Sequence, residues 1–172
     1  NNSGTVLAKT DIVLPVSDEL DCRACHASGS PNTARPSSGW SYLADPERDY
    51  KTNIIRLHDD RQRGKAIYQS ALAAKGLNSA GLEATVQGGR PVLCAECHAS
   101  NALGKPGVAG VPNLSKAIHE KHREEIPQTT EGFYNCHPGP QTQCLRDVMS
   151  SQYGMGCTDC HGTMTQVAQN PN

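Results

Sequence analysis

Three pentapeptides in this chain set two thiols and an imidazole at one spacing: Cys22-Arg-Ala-Cys25-His26, Cys94-Ala-Glu-Cys97-His98 and Cys157-Thr-Asp-Cys160-His161. Thiols three residues apart can each add across one of the two vinyl groups of a porphyrin, and the imidazole that follows can ligate the iron from the proximal side. C-x-x-C-H is the attachment signature of a c-type haem. Histidine is scarce, 7 of 172 residues, so its place after the second cysteine in all three pentapeptides is not a product of composition. The same cysteines admit two other chemistries. A four-cysteine zinc site uses two C-x-x-C pairs, but it asks for no His after each pair, and three pairs do not divide into twos. A redox dithiol occurs once, within an α/β pattern that this chain lacks. The expected cofactor is therefore haem c, three per chain, bound by Cys22, Cys25, Cys94, Cys97, Cys157 and Cys160, with His26, His98 and His161 on the irons.

Four histidines remain: His58, His119, His122 and His137. Three six-coordinate irons need three distal ligands, so supply exceeds demand by one. His119 and His122 are three apart and share one helix face, which suits two neighbouring haems. His58 follows an apolar run and precedes Asp59, a carboxylate expected to orient its ring. Met149, Met155 and Met164 are possible thioether ligands, though no shortage of histidine requires them. Bis-His ligation implies low potentials. Cys136 and Cys144 lie outside the pentapeptides, eight apart around Pro138-Gly139-Pro140, and in an oxidising compartment they are expected to form a local disulfide. The other reading of Phe133-Tyr-Asn-Cys136-His137 is a degenerate fourth haem site held by a single thioether. With the disulfide, His137 is the spare histidine, an alternative distal ligand or one offered to another chain.

The elements that must position these groups are sparse. Aromatic residues make up 4% of the chain, with one Phe and one Trp, while Gly (16) and Pro (11) are plentiful. Such a chain cannot bury much apolar surface by itself. The expectation is a single domain over 1–172, mostly irregular with a few short α-helices, in which the haems form the core. Residues 1–21 read as an extended arm with short β-branched runs. Residues 27–53 read as loop, with Trp40 and Tyr42 as anchors and Trp40 packed on a haem face. Periodicity predicts a helix over 60–75 stopped by Gly76, a helical turn over 81–86, and a helix over 115–125 capped by Ser115 and ended by Pro127. Residues 126–156 read as polar connection, and 162–172 as a tail without a closing element. The formal charge of −1 leaves out two propionates per haem, so the loaded protein is more acidic than its sequence. No basic run suggests nucleic acid, and no apolar stretch reaches membrane-span length. The start at Asn1-Asn2-Ser3-Gly4, with no Met and no signal peptide, reads as a processed or trimmed chain. Covalent haem attachment and the cysteine content point to export.

Longer phrases carry a resemblance. Asn53-Ile-Ile-Arg-Leu-His58-Asp59, Pro91-Val-Leu-Cys94-Ala-Glu-Cys97-His98-Ala-Ser, Leu114-Ser-Lys-Ala-Ile-His119-Glu-Lys-His122 and Cys136-His137-Pro-Gly-Pro…Cys144-Leu-Arg…Cys157-Thr-Asp-Cys160-His161-Gly resemble segments of exported multihaem c-type cytochromes. The resemblance runs over most of residues 20–165 and implies a small multihaem cytochrome c fold. The family pattern often has a cysteine where Phe133 stands. The resemblance also implies electron transfer at the cell surface or outside the cell, with the periplasm as alternative. Partners would be other redox proteins or extracellular electron acceptors. Some members of that group polymerise into filaments, and the arm, the open tail and the spare histidine suggest head-to-tail self-association, with an iron ligated across the boundary by His58 or His137. The chain is expected to be an electron carrier rather than an enzyme. The alternative, a multihaem reductase with one five-coordinate haem, is disfavoured because the ligand supply leaves no iron open.

Overall fold

The computed structural model describes residues 20–30, 34–137 and 145–169. Nine short helices order the described chain: α1 (Arg23–His26), α2 (Pro46–Gln62), α3 (Ala66–Ala74), α4 (Leu82–Gln87), α5 (Leu114–His122), α6 (Thr130–Phe133), α7 (Leu145–Tyr153), α8 (Cys157–His161) and α9 (Met164–Gln169). A 3₁₀ turn covers Cys94–Glu96, and a lone bridge joins Ser100 to Lys105. No strand forms among the described residues, and none of their helices is long and apolar enough to cross a membrane. Helix α2 packs on α1 and α4, α5 on α9, and α6 on α8. Residues 1–19 of the expected arm and Cys144 of the expected disulfide lie outside the described residues.

Helix α2 corrects the reading of 27–53 as loop. The Asp45 carboxylate accepts the amides of Glu47 (2.9 Å) and Arg48 (3.4 Å), Pro46 sits where no amide is needed, and Glu47 and Asp49 complement the helix dipole in the first turn. The helix expected over 60–75 is two helices. Gly64 has the weakest helical preference short of proline, and Lys65 is extended (φ −94°, ψ 130°), so the chain turns back before α3. On α3, Tyr68 and Leu72 bury themselves with Leu77 against Leu82. A fully buried leucine contributes about 2 kcal/mol, so a cluster of this size offsets little of the chain entropy. Large apolar side chains stay exposed elsewhere, among them Leu93 beside Cys94 and Ile118 beside His119.

Asp59, 1% exposed, caps α4 from the end of α2. It accepts the amides of Leu82 and Glu83, each at 3.0 Å, and the hydroxyl of Tyr68. Gly81 (φ +130°) makes this approach possible, because a Cβ there would lie 2.5 Å from Asp59 Oδ2. The expectation that Asp59 orients His58 therefore fails. Successive residues on a helix point about 100° apart, and His58 Nδ1 has no hydrogen-bond partner.

Three further expectations are corrected. Asn113, not Ser115, caps α5, its Oδ1 accepting the Lys116 amide at 2.7 Å, and the helix ends at His122 rather than 125. The span 126–156 holds α6 and α7 rather than polar connection. The tail does contain a closing element. Thr163 and Gln166 cap each other reciprocally, the Thr163 amide donating to Gln166 Oε1 (2.7 Å) and the Gln166 amide to Thr163 Oγ1 (3.4 Å). Helix α9 follows, with Met164 and Ala168 buried.

Candidate haem centres

Each of the first two pentapeptides folds as the same knuckle. The amides of Cys25 and His26 both donate to the Cys22 carbonyl (3.3 and 2.9 Å), and those of Cys97 and His98 to the Cys94 carbonyl (3.2 and 3.0 Å). The third pentapeptide is helix α8, opened by a hydrogen bond from the Gly156 amide to Asp159 (2.7 Å). A fourth knuckle has no first cysteine: the amides of Cys136 and His137 donate to the Phe133 carbonyl at 3.0 and 2.9 Å. Cys25, Cys94 and Cys160 are exposed, while Cys22, Cys97, Cys136 and Cys157 are half-buried. Burial raises the thiols of Cys22, Cys97 and Cys136, and the nearby Cys22 adds to the shift at Cys136.

Six of the seven histidines face one another in pairs. His26 lies opposite His122 with ring centres 6.4 Å apart, His98 opposite His58 at 6.2 Å, and His137 opposite His119 at 6.1 Å. Two imidazoles on opposite sides of one metal have ring centres about 6 Å apart, since each metal–nitrogen bond is about 2 Å and each centre lies about 1 Å behind its nitrogen. All three pairs hold that separation. Direct stacking or hydrogen bonding between rings would bring them closer. Moreover, the Nδ1 atoms of His98, His119 and His122 are taken by the carbonyl oxygens of Pro112 (2.7 Å), Ser115 (2.8 Å) and Ile118 (2.8 Å). That contact fixes the tautomer and leaves Nε2 as the free donor atom, as in metal-ligating histidines. Burial first, then the facing His122, lowers His26 to about 4, and burial with the facing His98 lowers His58. Both rings are neutral at pH 7, the form that ligates.

His161 is the exception. It is exposed, whereas the other six are half-buried, and no imidazole faces it. All seven histidines of this sequence lie among the described residues. The expected helix face is real, with His122 going to His26 and His119 to His137. His137 and His58, the expected ligands across a boundary, both face imidazoles within the chain. Among the described residues no three His, Cys, Asp or Glu side chains converge on one point. Facing pairs, rather than a polydentate cluster, are what the chain builds.

Two supports position the knuckles. At the first, Asn53 (0% exposed) donates to the His26 carbonyl (3.0 Å) and accepts the Ser41 amide (2.8 Å). One turn earlier, Asp49 accepts the hydroxyls of Ser28 and Ser41 (both 2.7 Å) and the amides of Ser28 (2.8 Å) and Leu43 (2.9 Å). Neither residue was singled out from sequence, although an Asp–Asn pair four apart on one helix face is a legible signal. At the second, the Val108 amide donates to the Cys97 carbonyl (2.8 Å) and the Leu114 amide to that of Ala99 (2.9 Å). Gly107 (φ +70°) lets the loop approach, since a Cβ there would meet the Ala99 nitrogen at 2.5 Å.

The Asp49 network carries a pH dependence. Burial alone would raise this carboxyl, but the hydrogen bonds from Ser41, Ser28 and Leu43 outweigh it and hold the group at about 2. A carboxyl depressed on folding stabilises the native state fully above its unfolded pKa of about 4, and that stability is lost as pH falls towards 2. Asp49→Asn should cost about 2 kcal/mol at neutral pH. The gap from the wild type should narrow in denaturant titrations repeated between pH 4 and pH 2. No protein-family model matches the chain, and no solved structure does.

Proposed function

We propose that this chain is an exported electron-transfer protein whose haems are bound covalently at the three C-x-x-C-H knuckles and lie between facing imidazoles. The observation that carries this is the pairing of two motif histidines with distal ones at the separation of a shared metal, His26 with His122 and His98 with His58. Haem supplies the one-electron couple when bound. The chain supplies thioether anchors, fixed tautomers, neutral nitrogens and spacing. The exposed Leu93 and Ile118 are the kind of apolar surface that a porphyrin covers.

The elements that join the pairs favour a row. Helix α2 holds the His26 carbonyl through Asn53 and presents His58 to His98 five residues on, about 7 Å along its axis. Helix α5 then gives His122 to His26 and His119 to His137, so the next pair adjoins the first knuckle. Helix α6 leads into the Cys136–His137 knuckle and packs on α8, which bears His161. The spatial order is then second motif, first motif, Cys136–His137, third motif.

The His119–His137 pair, with the knuckle at Cys136, supports a fourth haem held by one thioether in preference to a Cys136–Cys144 disulfide. The Cys136 thiol would add across one vinyl group, its proton going to the neighbouring vinyl carbon, and no oxidant is needed. A pyridine haemochrome assay with intact-mass analysis tests the whole reading. Four haems are expected, one with an absorption band between those of a haem held by two thioethers and a haem held by none. Three haems with a 136–144 disulfide would restore the simpler count, and zinc without iron would end the reading. Near-perpendicular ring planes in two pairs (80° and 88°) and near-parallel planes in the third (15°) should give two strongly anisotropic low-spin EPR signals and one rhombic signal. Donors and acceptors are proposed to be redox proteins or extracellular acceptors. Head-to-tail association is proposed to use surfaces other than His58 and His137, which face imidazoles within the chain, and electron microscopy of concentrated protein is its test.

A further inference from the structure

Six of the seven histidines in this sequence face one another in pairs. His161 is left with its ring exposed and with no imidazole opposite.

A thioether is no ready substitute. Met164 is 5% exposed and three residues after His161. Three extended residues span at most about 10 Å, too little to pass round a porphyrin and meet the iron from its far side. Met155 precedes Cys157 by two residues, and α8 follows immediately, so its tether is no better. Met149 sits in α7, whose C-terminal turn is closed by a hydrogen bond from the Met155 amide to the Met149 carbonyl (3.0 Å) two residues before the motif begins.

We propose that the third motif gives its haem one axial ligand, His161, and leaves the other side as a binding site for a small exogenous ligand of haem iron, of the class of carbon monoxide, nitric oxide and cyanide. The inference rests on the haem reading above. It separates the third motif from the rest of the row: the others are closed relays, while this one, at the end of the row and on the exposed side, admits a ligand.

The test is a carbon monoxide titration of the dithionite-reduced holoprotein, followed optically, with total haem measured on the same sample. One carbon monoxide per chain is expected, with the remaining haems spectrally unchanged and one high-spin ferric signal before reduction. Cys157→Ser with Cys160→Ser should lose one haem and the carbon monoxide site together. Met149→Leu should leave the stoichiometry at one, and His119→Ala should raise it to two if a fourth haem is present. Binding of no carbon monoxide with every haem low-spin would overturn the proposal, as would a site that survives loss of the third motif's haem. The long-wavelength charge-transfer band of a methionine-ligated ferric haem, lost in Met149→Leu, would overturn it too. Absence of haem altogether would instead remove the reading it rests on.

Discussion

On the proposed haem reading, replacing His58 by Ala should turn one iron per chain from low to high spin and leave the number of bound haems unchanged. The two halves of that result have separate causes. The imidazole facing His98 at 6.2 Å is removed, so one axial position loses its donor. The porphyrin should stay, because Cys94 and Cys97 would hold it covalently. His122→Ala should do the same at the first knuckle, opposite His26. Losing a strong nitrogen donor also raises the potential of that haem, so the reductive titration of each variant should show one step moved upward. His119→Ala is the discriminating member of the set. It converts a further haem if the Cys136–His137 knuckle is loaded, and leaves the spectrum untouched if Cys136 is tied to Cys144. A His58 variant that stays fully low-spin would mean that the 6.2 Å pairing does not hold a metal.

The chemistry was legible in this sequence to the extent that it is local. The three pentapeptides, and the choice of His58, His119 and His122 as distal candidates, needed only spacing and a count. Which histidine faces which could not be read that way. It depends on α5 lying between two knuckles, one of which lacks its first cysteine, and the count assumed that the motif histidines would be served first. In the structure His119 faces His137, and no imidazole faces His161. Helix α2 was missed because residues 46–53 were judged by their polar composition, although Asp45-Pro46-Glu47 is a strong helix start. Helix α9 was missed although Thr163 and Gln166 have the spacing of a capping box. Asp59 was misassigned by adjacency, which on a helix separates side chains rather than joining them.

Asp59→Ala should be among the most destabilising single changes in the described chain, at about 3 kcal/mol. The carboxylate is 1% exposed and ends three separate donors: the Leu82 amide, the Glu83 amide and the Tyr68 hydroxyl. Removing it strands the Glu83 amide and the Tyr68 hydroxyl, leaves the Leu82 amide only its longer bond to the Tyr68 oxygen (3.3 Å), and loosens α4 from α2 at the level of His58. Tyr68→Phe deletes a single donor from the same group and should cost only about 1 kcal/mol. Gly81→Ala keeps every polar atom but puts a Cβ at the Asp59 carboxylate with φ at +130°, so it should cost about 1–3 kcal/mol. Denaturant unfolding of the three holoproteins, followed by circular dichroism, should rank them with Asp59→Ala worst and Tyr68→Phe mildest. The His58–His98 distance should suffer in the same order, seen as a growing high-spin fraction. If Asp59→Ala unfolds no earlier than Tyr68→Phe, the α2–α4 cap is not what holds His58 in place, and the covalent haem must be the element that orders this end of the chain.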